Sequence, residues 1–436
     1  MFLNVLLRIS VVCLTMLASV GFANTVPVSV PAPPEVNATA FLLIDYHSGK
    51  SLGEKDADKR IDPASLTKMM SVYVVDHELK NGRFTLNDEV PISEGAWRTE
   101  GSRMFVQAGK KIPVRDLLNG IIIQSGNDAT VALAEFSAGS ESAFADLMNQ
   151  HAKKLGMNNT HFVNATGIPH AEHYTTVRDL SILARAIIRE FPETYKIYSE
   201  KWFTFNGIQQ PNRNRLLWRE PYVDGIKTGH SSTAGYCLAA SGQKDNMRII
   251  SVLVGAPTEA DRTESTLKLL RYGFRFYETH HLFQANTTLT EPRLWMGNNK
   301  KLNLGINRDL YITIPQGHYK NLDAKMNIDK RITAPIAKGA TYGKLVVKLG
   351  DNLITEMPLV ALNDVPQGSL WNRFSDYISL GIHKALNSKE TQEASAAAPA
   401  PSAAAPAPAA ATPAVAPTAA AKPAASPQGT APTQGT

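Results

Sequence analysis

Ser65 and Lys68 stand three residues apart in "IDPASLTKMM", directly after Pro63. A serine hydroxyl becomes a nucleophile only with a base in hydrogen-bond reach, donors for the oxyanion that forms, and a group that holds the substrate. On a helix, the i, i+3 spacing brings the amine alongside the hydroxyl. A helix start adds free backbone N–H groups and a positive dipole end. The same letters also suit a serine that only initiates a helix, so two further stretches bear on the choice. "QSGN" offers Ser125 and Asn127 at a break between helical segments, where polar tips can converge on a cleft. "GIKTGH" places Lys227 and Thr228 on a strand followed by Gly229, which lets another backbone or a ligand approach closely.

The elements that must position these groups can be read from periodicity. "ATAFLLIDYHSGKSL" reads as two strands around a Ser48-Gly49 turn, and "PASLTKMMSVYVVDHEL" as a helix. Helices are expected around Val114 to Ile122, Asp128 to Ser137, Ser140 to Leu155 and Thr176 to Glu190. "YVDGIKTG", "GYCLAASG" and "MRIISVLVG" read as neighbouring strands, and "TESTLKLLRYGFRFYET" as a closing helix. Strands at both ends with helices between predict an α+β domain whose first and last segments share one sheet. Thr288 to Leu362 changes character: "DLYITIP" alternates, and "GKLVVKLGDNLITEMPLV" is a hairpin pattern around Gly350-Asp351-Asn352, so a small all-β domain is expected.

The ends of the chain have their own signatures. Arg8, an apolar run from Ile9 to Val20 and the small residues "GFA" read as an export signal cleaved after Ala23. No later stretch is apolar for the roughly 18 residues a membrane span needs. Cys13 lies in that signal, so Cys237 is left unpaired, and "AGYCLAAS" reads as a buried strand in which it is inert. In "GSLWNRFSDYISLGIHKALN", Leu370, Trp371, Phe374, Tyr377, Ile378, Ile382, Ala385 and Leu386 form one helical stripe. Such a stripe suits a membrane interface, or docking on the protein itself. From Ala394 onward the chain is almost entirely Ala, Pro, Ser and Thr, which cannot build a core. The expected division is therefore 1–23 signal, 24–285 catalytic domain, 286–365 β-rich domain, 366–388 amphipathic helix and 389–436 extended tail. With 45 Lys and Arg against 39 Asp and Glu, the chain lacks the dense basic runs of a nucleic-acid binder. No His-Glu-x-x-His and no nucleotide loop occurs, so neither metal nor cofactor is expected.

Together and in this order, Ser-x-x-Lys, Ser-x-Asn and Lys-Thr-Gly match the motif set of penicillin-binding proteins and serine β-lactamases. Within that superfamily the chain resembles the low-molecular-mass D-alanyl-D-alanine carboxypeptidases of the type 5 group. "IDPASLTKMM", "GIIIQSGNDA" and "VDGIKTGH" carry the likeness, along with the export signal, β domain and amphipathic helix. The resemblance implies a penicillin-binding catalytic domain and a periplasmic enzyme, attached peripherally to the outer face of the inner membrane through 369–386. That enzyme trims the terminal D-alanine from peptidoglycan pentapeptide stems and is acylated by β-lactams. It implies that Ser65 attacks, that Lys68 takes its proton, and that Ser125 relays it to the leaving D-alanine. Asn127 would hold the substrate backbone, while Lys227 and Thr228 would meet its carboxylate. A buried Lys68 facing Lys227 would be held neutral by desolvation and like-charge repulsion. The oxyanion would lie between the backbone N–H groups of Ser65 and His230, just after Gly229. Arg262 and then Arg213 match basic positions of the family and could bind the carboxylate, although a surface salt bridge fits either as well.

The same acyl-enzyme would serve a D,D-endopeptidase or a transpeptidase, and a non-catalytic wall-binding protein could be built on the fold. A class A β-lactamase would add a Glu-x-x-x-Asn segment, but "EHYTT" from Glu172 lacks the Asn. The tail beyond the amphipathic helix departs from the family's usual end.

Overall fold

The first strand, β1 (Ala40–Asp45), is buried at every position. An alternating pattern would expose one face, so an unbroken buried run requires a strand covered on both sides. In the computed structural model, which describes residues 30–379, β1 lies inside a five-stranded antiparallel sheet. Its partners are β2 (Ser51–Lys55), β3 (Val223–Ser231), β4 (Gly235–Lys244) and β5 (Met247–Ala256), in the order β2-β1-β5-β4-β3. The beginning and end of the catalytic region thus share one sheet, with Leu42 opposite Val252.

Alternation across this sheet separates two cores. Leu42, Ile44, Ala239, Ile250 and Val252 join the helical layer. That layer includes α1 (Lys68–Lys80), α2 (Asn127–Ala138), α3 (Glu141–Leu155) and α4 (Val177–Glu190). Phe41, Leu43, Leu238 and Leu253 face the other way, onto Leu267, Leu269 and Leu270 of α5 (Glu259–Phe276). Cys237 is fully buried in this sheet, where burial pushes its thiol up to about 12, so it is inert as expected.

The closing helix ends at Phe276, not in the expected "YET". Tyr277–Phe283 is strand β6, rich in aromatic and β-branched residues, and it pairs antiparallel with β7 (Leu310–Pro315). Thr279 buries its hydroxyl against Asp45 Oδ2 at 2.7 Å, a partner that a continued helix would not have supplied. Beyond it, β8 (Leu322–Ile328), β9 (Thr341–Leu349) and β10 (Asn352–Ala361) form a sheet with the short strand Leu304–Gly305. The expected hairpin is present: Leu349 faces Asn352 across a turn in which Gly350 takes φ +58°. Ile312, Ile314, Leu345, Val347 and Leu359 give this region a core of its own.

Residues 370–379 are helical, and no helix among the described residues is long and apolar enough to cross a membrane. The expected signal with Cys13, the remainder of the amphipathic helix and the Ala/Pro tail lie outside the described residues.

Candidate active site

Ser65 sits in a 3-10 turn, Ala64–Thr67, that leads into α1. The expected helix start is thus one tight turn earlier and differently wound. Ala64 is held at φ +45°, and the carbonyl of Ala64 crowds Gly167 so closely that any Cβ there would lie 1.8 Å from the oxygen. Such a packed turn fixes where Ser65 points. Lys68, the first residue of α1, is fully buried, and its Nζ lies 3.0 Å from Ser65 Oγ and 2.6 Å from the Thr166 carbonyl. The Thr166 carbonyl is itself held by an Asn164 turn, in which Asn164 Oδ1 accepts from the N–H groups of Thr166 and Gly167 at 3.1 and 2.7 Å.

The second motif follows an irregular helix. Val114–Asn119 is α-helical, Gly120–Gln124 widens to a π turn, and Ser125 then adopts the left-handed region at φ 63°, ψ 32°. That reversal separates the two expected helices and aims Ser125 Oγ at Lys227 Nζ, 2.9 Å away. Asn127 begins α2, and its Nδ2 donates to the Glu100 carbonyl at 2.6 Å while Oδ1 is buried without a partner. Asp128 beside it accepts from the backbone N–H groups of Met104, Phe105, Val106 and Ala129, at 2.9 to 3.1 Å. The carboxylate thereby pins the segment with Ser102 against the cleft.

The third motif lies on β3. Lys227 Nζ donates to Ser125 Oγ and, at 3.0 Å, to the Thr228 carbonyl. A Cβ on Gly229 would come within 3.3 Å of Ser65 N, so the strand can run against the nucleophile turn only with a residue this small. His230 is exposed, with its ring 4.1 Å from that of Tyr236. Ser65, Ser125, Thr228, Gly229, His230, Arg213 and Arg262 all line one cleft of about 480 Å³, with Ser102, Gln124 and Gln210 across it. Arg262 is nearly buried, its Nη2 3.1 Å from Glu259 Oε1 and its Nε without a partner. Both arginines therefore face the cleft, and Arg262 is ion-paired there with Glu259.

Burial pushes the Lys68 amine down to about 7, with a further contribution from the charge of Arg213. Lys227 is driven well below its ordinary value by burial first, then by Lys68, Arg213 and Arg262. Desolvation, helped by Arg213, holds Lys68 near neutrality, and repulsion within the buried lysine pair lowers Lys227.

Residues 27–258 match the peptidase S11 family, D-alanyl-D-alanine carboxypeptidase, and residues 277–367 match the C-terminal domain of penicillin-binding protein 5. The chain belongs to the peptidase S11 family. It is 42% identical over 362 residues to D-alanyl-D-alanine carboxypeptidase DacA of Escherichia coli K12, covering 81% of this chain and 90% of that one. Penicillin-binding protein 5 of Haemophilus influenzae is similar in structure, with TM-score 0.75, 43% identity, and 77% and 100% of the two chains covered. Penicillin-binding protein D2 of Listeria monocytogenes, solved with ampicillin bound, matches at TM-score 0.52 and 30% identity, covering 56% of this chain and 100% of that one. The fold is accordingly the α+β catalytic domain of penicillin-binding proteins followed by an all-β domain, and the chain is a serine hydrolase.

Several groups at the site had no signal in the motifs. Thr166 and Asn164 lie far from Lys68 in sequence, and their role depends on a carbonyl. Asp128 could have been suspected, because an acidic residue in a helix's first turn is placed to accept from free backbone N–H groups.

Proposed function

We propose that this chain is a serine-type D-Ala-D-Ala carboxypeptidase acting on peptidoglycan pentapeptide stems, with Ser65 as nucleophile. The observation that carries the reading is a fully buried amine, brought down to about 7, at 3.0 Å from the Ser65 hydroxyl. A neutral Lys68 takes the Ser65 proton as Oγ adds to the carbonyl carbon between the two D-alanines. The backbone N–H groups of Ser65 and His230 receive the oxyanion, consistent with the close pass of Gly229. As the C–N bond breaks, the leaving amine takes a proton through Ser125, which bridges toward Lys227. Water then attacks the acyl-enzyme and releases the shortened stem.

The free carboxylate of the substrate suits a cleft wall carrying Thr228, Arg213 and Arg262. A carboxylate arriving there also offsets the repulsion in the lysine pair, so the proton that the pair holds is best kept on Lys227 and Lys68 stays basic. Asn127 Oδ1, buried without a partner, is available to the substrate's peptide N–H. β-Lactams would acylate Ser65 by the same attack.

The reading includes a periplasmic location with peripheral attachment through 369–386. Exposed Leu370, Trp371, Phe374, Tyr377 and Ile378 supply the apolar stripe that an interfacial helix requires. Cell fractionation after truncation at Gly368 tests this part, and unchanged membrane association would refute it.

The catalytic reading is tested by mass spectrometry of the protein with benzylpenicillin, then with a pentapeptide ending in D-Ala-D-Ala. The expected results are a stable adduct on Ser65, lost in Ser65→Ala, and removal of a single alanine. Rapid penicillin turnover with the peptide untouched would indicate a β-lactamase instead.

A further inference from the structure

A second cleft, of about 610 Å³, opens where the β1–β2 turn meets the β-rich domain, and it shares no lining residue with the cleft at Ser65. Three guanidinium groups line it: Arg185 and Arg189 from α4, and Arg308 from the loop before β7. Tyr46, His47 and Tyr311 supply its rings. This concentration of cations needs an explanation, because like charges gathered at one opening repel one another and cost stability.

The wall is built, not incidental. Arg185 is half-buried, and it donates from Nε to the Tyr46 carbonyl at 2.9 Å and from Nη2 to the His47 carbonyl at 3.3 Å. Both acceptors are neutral, and among the described residues Arg185 has no carboxylate within ion-pair distance. Gly49 makes room for it, since a Cβ there would lie 2.7 Å from Arg185 Nη1. Burial and the neighbouring charge of Arg189 bear against the proton on Arg185, and the Asp45 carboxylate, beyond ion-pair distance, offsets only part of this. Arg308 is exposed and likewise has no ion pair among the described residues. Arg189 is matched by Glu190. The one acid in the lining, Asp309, is committed to the Ala285 N–H at 2.7 Å and to His281 at 3.5 Å.

The rings form an ordered column. His47 stacks on Tyr311 at 4.4 Å, Tyr311 on His281 at 4.5 Å, and Tyr46 meets His47 edge-on at 4.8 Å. The two domains are tied immediately beside it: Asp45 Oδ1 accepts from Ser48 Oγ at 2.8 Å, and Ser48 Oγ lies 2.6 Å from Thr313 Oγ1. Lys50 Nζ also donates to the Thr313 carbonyl at 3.0 Å. These ties fix Tyr311 opposite His47 before any ligand arrives, so little ordering cost remains for binding.

We propose that this interdomain cleft is a second binding site for peptidoglycan, holding a carboxylate-bearing segment of the polymer away from the reacting stem. Guanidinium forks match carboxylates in pairs, and the column of His47, Tyr311 and His281, its faces stacked on one another, gives the cleft a rigid wall. A wall polymer repeats carboxylates along its length, so one molecule can reach this cleft and Ser65 together, and the second contact raises the local concentration of stems. The inference rests on reading the chain as a peptidoglycan enzyme.

The test uses the full chain, first acylated with benzylpenicillin so that the cleft at Ser65 is filled, and then sedimented with isolated insoluble peptidoglycan. Retention of the acylated protein is expected. It should fall threefold or more in Arg308→Gln and tenfold or more in the double variant Arg185→Gln/Arg308→Gln, with penicillin acylation rates unchanged. Peptidoglycan whose carboxylates have been converted to amides should not retain the protein. The proposal is overturned if the acylated protein fails to bind, if Arg308→Gln binds as well as the parent, or if the amidated polymer binds equally. It is also overturned if only phosphatidylglycerol vesicles or inorganic phosphate bind in an Arg308-dependent way. Arg308→Gln, on an exposed loop, keeps the test valid should the Arg185 substitution unfold the protein. Failure of acylation itself would instead refute the catalytic reading.

Discussion

Helix α1 carries two buried ionisable groups, and burial moves them in opposite directions to the same place. Lys68 at its first turn is pushed down to about 7, and Asp76, two turns later, is pushed up to about 7. Desolvation is the leading cause for both, because each charged form loses its water. Their neighbours differ. Lys68 meets the hydroxyl of Ser65, which lines an open cleft, whereas Asp76 accepts from Thr194 Oγ1 at 2.8 Å, and its Oδ2 is buried without a partner. A perturbed ionisation is therefore not a sign of catalysis by itself; access and a reacting partner make the difference.

The largest test of that contrast is Lys68→Met. Acylation by benzylpenicillin is expected to fall by about 10³-fold, within the range general bases supply, while thermal unfolding moves up by a few degrees. An amine held at about 7 when folded and at about 10.5 when unfolded means that the unfolded chain binds more protons between those values. Stability from this group therefore rises with pH through that window and is lowest at and below about 7. A Met variant that unfolds at a lower temperature than the parent would break the comparison.

A smaller effect is expected in the pH profile of acylation. Below about 7 the rate should fall tenfold per unit, and above it the rate should level as Lys68 becomes neutral. Because Arg213 is the cation that lowers Lys68, against the opposing charges of Asp128 and Glu141, Arg213→Gln should move the midpoint up by about half a unit to one unit. Lys227→Gln should shift it less, and the reverse order would make Lys227 the stronger tuning group.

The smallest effect on activity belongs to Asp76→Asn, with acylation expected to stay within twofold of the parent. Its effect lies in stability. The folded carboxyl at about 7 exceeds its ordinary 3.8, so the folded state holds the proton more tightly and stability falls as pH rises between those values. The amide should then stabilise the protein by about 1–3 kcal/mol at pH 8, a conservative reading of the shift, and by almost nothing at pH 4. Urea unfolding at the two pH values decides it.

Much of this was legible from short patterns. The apolar runs around Leu42, Leu238 and Ile250 marked strands of one shared sheet, and the three motifs named groups that the fold brings to one cleft. What escaped was set by backbone geometry and distant partners. The π turn at Gly120–Gln124 and the left-handed Ser125 leave no periodic trace, because the residues remain those of a helix. The Thr166 carbonyl, which anchors Lys68, could have been any residue's. Tyr277 to Thr279 continue an amphipathic pattern, and only pairing with Leu310–Pro315 turns them into a strand.

The pairing of β1 with β5 also governs when this chain can fold. Ala40–Asp45 emerges from the ribosome early, but its hydrogen-bonding partner arrives only after nearly the whole catalytic region has been made. Local helices can form meanwhile, yet contacts so distant in sequence are slow to close. Under the proposed periplasmic location, which requires threading through a membrane before folding, this topology acts as a timer. The sheet that would jam a translocation channel cannot assemble until its last strand has been synthesised.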